Sequence, residues 1–219
     1  MSTEVREYLS HLARTYTQPP AHIAYLISLK ASGFEPKVIY DIGACVGHWT
    51  AAARRMWPDA TCVLFDANAD VEFLYGDMPH HIGILTDTDN RRVTYYTNAE
   101  YPTGNSYYQE NSTSYATCID MEGMTLDTIV KERGFPLPDL VKIDVQGCER
   151  DILAGATDTL KHVQHLIVEL QHVHYNKGAP LASETIPFLE ELGWTCIAPK
   201  FCDNGPDADY GFVKAATRR

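Results

Sequence analysis

Val38-Ile39-Tyr40-Asp41-Ile42-Gly43-Ala44-Cys45-Val46-Gly47-His48-Trp49-Thr50 reads as a short apolar strand, a carboxylate near its end, a glycine-containing turn and the start of a helix. In an open α/β sheet, the crevice beyond such a strand end is where nucleotide-like ligands sit. Glycine in the turn lets a ligand approach the backbone without a side chain in the way. The spacing is Gly43-x-x-x-Gly47, with Cys45 and His48 where the dinucleotide fingerprint G-x-G-x-x-G would place glycine. That departure argues against a pyrophosphate cofactor and against a nicotinamide oxidoreductase.

What the turn suits instead is a smaller ligand carrying an adenosine but no phosphate, for which S-adenosyl-L-methionine (SAM) is the candidate. An acidic residue ~20 positions further on is expected to take ribose hydroxyls. Asp66 fills that role, ending the run Thr61-Cys62-Val63-Leu64-Phe65-Asp66.

Outward from this unit, apolar runs at 37–41, 61–66, 81–86, 139–144, 165–170 and 194–198 predict strands. Helices are predicted near 48–56, 125–133, 149–160 and 182–192. The alternation implies a parallel sheet. It breaks at 91–119, where Arg92-Val93-Thr94-Tyr95-Tyr96 and Ser114-Tyr115-Ala116-Thr117-Cys118 flank a Gly/Asn/Ser loop at 103–114. It breaks again at Asp209-Tyr210-Gly211-Phe212-Val213-Lys214, a hairpin return that implies one antiparallel strand at the sheet edge. The fold class is therefore α/β: a Rossmann-like, seven-stranded, mostly parallel sheet of the class I SAM methyltransferase type. Ahead of it, helical patterns over 3–17 and 21–32 form an N-terminal extension, either a packing layer or a lid or homodimer surface. One domain is expected over 1–219, with the extension at 1–33 and the α/β core at 37–214.

Composition narrows the function. With a formal net charge of −11, the chain lacks the Lys/Arg stripe that a phosphate backbone requires, so no nucleic-acid partner is expected. No apolar run reaches the ~20 residues of a membrane span, and the polar start Met1-Ser2-Thr3-Glu4 does not read as a signal peptide. The six cysteines show no C-x-x-C pair and fit a reduced, cytoplasmic setting.

Several motifs resemble the FkbM-type methyltransferase family. Asp41-Ile42-Gly43-Ala44-x-x-Gly47 is similar to its SAM-binding turn, and Phe65-Asp66-Ala67-Asn68 to its second-strand motif Phe-Glu-Pro-Asn. Thr125-Leu126-Asp127 resembles its Thr-Leu-Asp helix start. The most specific match is Lys142-Ile143-Asp144-Val145-Gln146-Gly147-Cys148-Glu149, close to Lys-Ile-Asp-Val-Glu-Gly-x-Glu with Gln146 in place of Glu. The likeness covers roughly 37–214 and implies SAM-dependent methyl transfer; it says little about the acceptor.

Read as such an enzyme, the cofactor set is Asp41, Gly43, Ala44, Gly47, Asp66, Ala67 and Asn68, with Thr86 and Asp87 at the adenine position or in a surface turn. Asp41 could instead only start the helix. Asp144 could orient the SAM amine, act as base, hold a metal with Glu169, or cap the following helix. Two carboxylates do not define a metal site, so none is predicted. His172, then His174, are the expected general bases because their loop follows the fifth core strand and histidine titrates near neutrality. Glu149 belongs to the first turn of a helix, where the dipole favours it. Tyr95, Tyr96, Tyr101, Tyr107, Tyr108 and Tyr115 either stack on an acceptor or simply pack. The expected reaction is O-methylation of a hydroxyl on a small molecule, sugar or glycan. The alternatives are a non-catalytic binding module and a nucleic-acid methyltransferase; the latter's [Asp/Asn]-Pro-Pro-aromatic run is replaced here by Asp144-Val145-Gln146-Gly147.

Overall fold

The computed structural model describes residues 2–97, 104–111 and 117–214. Its centre is a seven-stranded sheet in the order β3-β2-β1-β7-β8-β10-β9. The strands are β1 (Val38–Ile42), β2 (Thr61–Asp66), β3 (His80–Ile82), β7 (Leu140–Ile143), β8 (His165–Gln171), β9 (Trp194–Asp203) and β10 (Asp207–Lys214). All neighbours run parallel except β10, which is antiparallel to both β8 and β9. The antiparallel strand thus lies one place in from the edge, not at the edge as the sequence suggested. The reason is burial: six consecutive residues of β10 are buried, whereas β9 alternates and leaves its outer side to solvent.

Two further departures have local causes. The predicted strand at 81–86 divides at Gly83, whose N–H donates to the Asp66 carbonyl at 2.9 Å. β3 stays in the main sheet, while β4 (Ile84–Leu85) joins a second, three-stranded sheet with β5 (Arg91–Thr97) and β6 (Thr117–Met124). The predicted helix at 149–160 stops as α5 (Glu149–Ala154), because Gly155 packs against the Thr86 carbonyl, 2.2 Å from where a Cβ would stand.

Strands buried on both faces read as continuous apolar runs, and each face has its own cover. Tyr40, Ile42, Val63, Phe65, Val141, Ile143 and Val168 pack beneath α4 (Leu126–Arg133), α5 and α6 (Ala182–Glu191). Ile39, Leu64, Leu140 and Ile167 pack beneath α2 (Pro20–Ala31) and α3 (His48–Met56), joined by Leu9 of α1 (Thr3–Thr15). The N-terminal helices therefore help close the core. Helix α1 also lies against the 3₁₀ turn at Ala69–Leu74, with the Arg6 guanidinium 4.2 Å from the Phe73 ring.

The turn after β1 is held open by glycine for a reason of packing. Gly43 has φ +80°, and a Cβ on it would fall 1.8 Å from the Asp144 carbonyl oxygen, because β1 and β7 converge there. Gly43→Ala is expected to cost about 4 kcal/mol or more. By contrast, Gly33→Ala, at φ +88° with no atom within 4 Å of the added Cβ, should cost only about 1–2 kcal/mol from backbone strain. Urea unfolding of the two variants checks this; equal losses would show that the strand approach is not the constraint.

Candidate active site

The turn at 43–47 spends its backbone donors internally. Gly43 and Ala44 N–H both donate to the Phe65 carbonyl, at 2.9 and 3.0 Å, and Gly47 N–H donates to Ala44 at 2.7 Å. Cys45 N–H donates instead to Asp66 Oδ2 at 2.7 Å, while Asn68 N–H donates to Asp66 Oδ1 at 2.8 Å. Asp66 is thereby fixed at the rim of an open cleft of about 600 Å³ across the carboxyl ends of β1, β2 and β7. Burial pushes its carboxyl up to about 6, against the pull of the Asn68 and Cys45 amides. The cleft wall is apolar toward Phe65, Ile84, Leu85 and Ile152, and polar toward Asp66 and Asp144.

Gly43, Asp66, Ala67 and Asp144 of the expected set line this cleft; Gly47, Ala44 and Asn68 are outside its lining, Asn68 bonding Asp66 through its N–H. Asp41, Thr86 and Asp87 do not reach it. Asp41 is 1% exposed, and its Oδ2 accepts from Thr50 N–H at 3.1 Å and Thr50 Oγ1 at 2.6 Å. Strand parity explains this, since Asp41 points to the α3 face and Ile42 to the cleft side. Thr86 is fully buried with its hydroxyl donated to the Thr88 carbonyl, and Asp87 pairs with Arg91 at 2.7 Å on the surface. Gly83, Ile84 and Leu85 take the wall position expected of them, because the strand bends at Gly83.

The expected bases lie elsewhere. His172 is on the opposite face from Asp144, its Nε2 3.1 Å from Tyr210 Oη, and Tyr210 belongs to the α4–α6 side of the core. His174 is exposed, and its carbonyl accepts from Asn111. Neither lines the cleft. The hydroxyls of Tyr107 and Tyr108 both donate to Asp151 Oδ2 at 3.0 Å, so only the Tyr107 ring and Tyr95 face the cleft. Tyr96 pairs with Ser106 through its backbone, and Tyr101 and Tyr115 lie outside the described residues.

What the fold does assemble at Asp144 is a row of charge. Lys142, 3% exposed, donates to Asp144 Oδ2 at 2.7 Å and stands 3.9 Å from Asp41 Oδ1. Burial would discharge this lysine, but Asp144 and Asp41 outweigh it and hold the ammonium charged. Burial also works on Asp144, yet Lys142 prevails and lowers its carboxyl to about 2. Glu169 is pushed the other way, well above the ordinary range, by burial and by the negative charge of Asp144 beside it. Gln146 Nε2 holds Glu169 Oε2 at 2.8 Å. The two carboxyls have thus been shifted in opposite directions, the arrangement found where acid and base roles are divided.

Two aromatic groups complete the site. His48, the first residue of α3, is lowered to about 4 by burial and by Lys142, so its imidazole is neutral. Its ring centroid lies 4.2 Å from that of Tyr16, the residue that ends α1. Burial and the field of Asp144 raise the Tyr16 phenol. Neither was expected from sequence; the available signal for His48 was its position directly after Gly47.

A family model for the methyltransferase FkbM domain matches residues 41–195. The chain belongs to the FkbM methyltransferase family. Among solved structures, this FkbM chain is similar to the O-methyltransferase TomG from Streptomyces achromogenes in complex with SAM, with 12% identity, TM-score 0.52 and coverage of 99% of this chain and 92% of that one. It is likewise similar to an O-methyltransferase from Bacillus cereus in complex with SAH, with 11% identity, TM-score 0.53 and coverage of 98% and 92%. At such identities the likeness is one of fold. No curated protein matches the chain in sequence.

Within the FkbM motif, Glu149 is buried, and its Oε1 accepts from Gly147 N–H at 3.0 Å and Val145 N–H at 3.3 Å, bracing the 144–148 loop. Burial raises its carboxyl from 4.5 to about 7. The native state therefore keeps a proton that the unfolded chain releases. That contribution to stability is complete below pH 4.5 and is lost as pH rises through about 7. Glu149→Gln should lose roughly 2–3 kcal/mol less stability than the parent between pH ~5 and ~8, read by thermal unfolding across that range. Parallel curves would show that Glu149 is not protonated in the native state.

Proposed function

We propose that this chain is a SAM-dependent O-methyltransferase acting on a hydroxyl of a small molecule, sugar or glycan unit, working as one domain with residues 1–33 as its helical extension. The observation that carries the reading is the cleft in which Asp66, held by two backbone amides, and Asp144 share a lining with an apolar wall, the Glu169 carboxyl standing beside Asp144. Family membership supplies the reaction class, and the acidic balance of the chain favours a neutral or cationic acceptor over a nucleic acid.

The chemistry of the cleft suits SAM. Asp66 would accept from the ribose hydroxyls, and the Phe65, Ile84, Leu85 and Ile152 wall would take the adenine. When bound, SAM supplies an electrophilic methyl group on a sulfonium. The remaining work falls to the chain itself. A hydroxyl acceptor must be aligned, and alignment can contribute several kcal/mol. It must also lose its proton, and a positioned base is worth ~10²–10⁴-fold. We assign that proton to Glu169, which is itself outside the lining but adjoins Asp144 and Gln146, both part of it. Asp144, held low by Lys142, is too weak a base for it and serves to fix Lys142 and orient cationic groups. Desolvation favours the neutral form of Glu169 until positive charge or rising pH ionises it, so turnover should climb with pH on its acidic limb.

Three variants test the assignment. Asp66→Ala should weaken SAM and S-adenosylhomocysteine binding roughly 10–100-fold by calorimetry, with NAD binding absent throughout; unchanged affinity would displace the ribose site. Glu169→Gln should keep SAM affinity, lower kcat by ~10²-fold or more and flatten the acidic limb of the pH profile. His172→Ala should leave affinity and kcat unchanged; a kcat loss with intact affinity would return the base role to the β8 loop.

A further inference from the structure

Beyond the methyl-transfer cleft, the chain brings a second group of reactive side chains together from three distant segments. His22 of α2, Cys202 of β9 and Asp209 of β10 are all buried, and their potential ligand atoms lie within 4.8 Å of one another. His22 Nε2 is 2.9 Å from Asp209 Oδ2. Asp209 Oδ1 and His22 Nδ1 are buried with no hydrogen-bond partner among the described residues. An unpaired buried carboxylate oxygen is costly, and a histidine–aspartate contact alone leaves that cost in place.

We propose that His22, Cys202 and Asp209 bind a Zn²⁺ ion that clasps the N-terminal helix α2 to the C-terminal hairpin. The donor set is one thiolate, one imidazole and one carboxylate, which suits a borderline-soft ion and disfavours Mg²⁺ or Ca²⁺. The charges close: Cys202 as thiolate and Asp209 as carboxylate offset the two positive charges of the ion, so the buried site is neutral. On binding, the S–H bond of Cys202 breaks as the Zn–S bond forms, its proton leaves to solvent, and no electron changes hands. His22 turns the lone pair of Nε2 to the metal with its proton on Nδ1. Three protein ligands leave one tetrahedral position for water or for Asn204, whose Oδ1 is 3.7 Å from Cys202 Sγ. The surroundings suit a closed site, since Phe201 sets its ring edge on His22 at 5.2 Å and stacks on Tyr25 at 4.3 Å.

The test of the clasp reads metal binding directly and needs no acceptor. The full chain is stripped with chelator, loaded with Zn²⁺ and desalted, and its metal is counted. About one ion per chain is expected, with affinity lowered at least ~10²-fold in His22→Ala and Cys202→Ser and unchanged in Cys118→Ser, whose thiol is exposed on β6. Co²⁺ loading should give a thiolate-to-metal charge-transfer band that Cys202→Ser abolishes and Cys118→Ser keeps. Should Cys202→Ser fail to fold, as judged by circular dichroism, two measurements on the parent decide the matter: proton release on adding Zn²⁺, and a Tm rise with Zn²⁺ that Mg²⁺ does not reproduce. No retained zinc, a band that survives Cys202→Ser, or a parent that releases no proton would overturn the site.

Discussion

One buried ammonium organises the reactive end of this molecule. Lys142 sits between carboxylates that end two adjacent parallel strands, 2.7 Å from Asp144 and 3.9 Å from Asp41. Burying a lysine is expensive unless its charge is met on site, and here both partners come from the strands that flank the Gly43 turn. The convergence that seats Lys142 also brings the Asp144 carbonyl against Gly43, so the glycine and the ion network answer a single constraint. Removing the lysine would strand two acids in a low-dielectric row, which costs more than the pair itself contributes.

The same charge sorts the acids. Asp144 takes the ammonium and is held at about 2, while Glu169, one strand further along, meets Asp144 rather than Lys142 and is driven upward. Neither value belongs to a carboxylate as such; position in the row decides each. The Tyr16 ring at the end of α1 covers His48, whose imidazole feels Lys142 and Asp144, so the N-terminal helices reach this row as well as the core.

Much of this was legible in the residues. The two-sided burial of β1, β2, β7 and β8 produces the apolar runs that locate them, and their strand ends locate Asp66 and Asp144. Period-2 alternation would also have placed Asp41 with Lys142 on the α3 face, away from the cleft, had parity been applied to it. The direction of a loop is harder to read. Nothing local tells that the chain after Gln171 turns His172 toward Tyr210, since the partner lies on a strand 38 residues further on. His48 and Tyr16 meet across 31 intervening positions for the same reason. Long-range pairing of loops and termini is set by packing, which short motifs do not encode.

The placement of β10 has a consequence for how the polypeptide is made. β9 touches the sheet only through β10, which follows it in the chain. While residues past 206 are still in the ribosomal exit tunnel, β8 shows an open hydrogen-bonding edge, and β9 has no neighbour to pair with. An apolar edge of that kind invites pairing with other chains. The sheet therefore stays unfinished until β10 has been made, and its insertion completes two strands together.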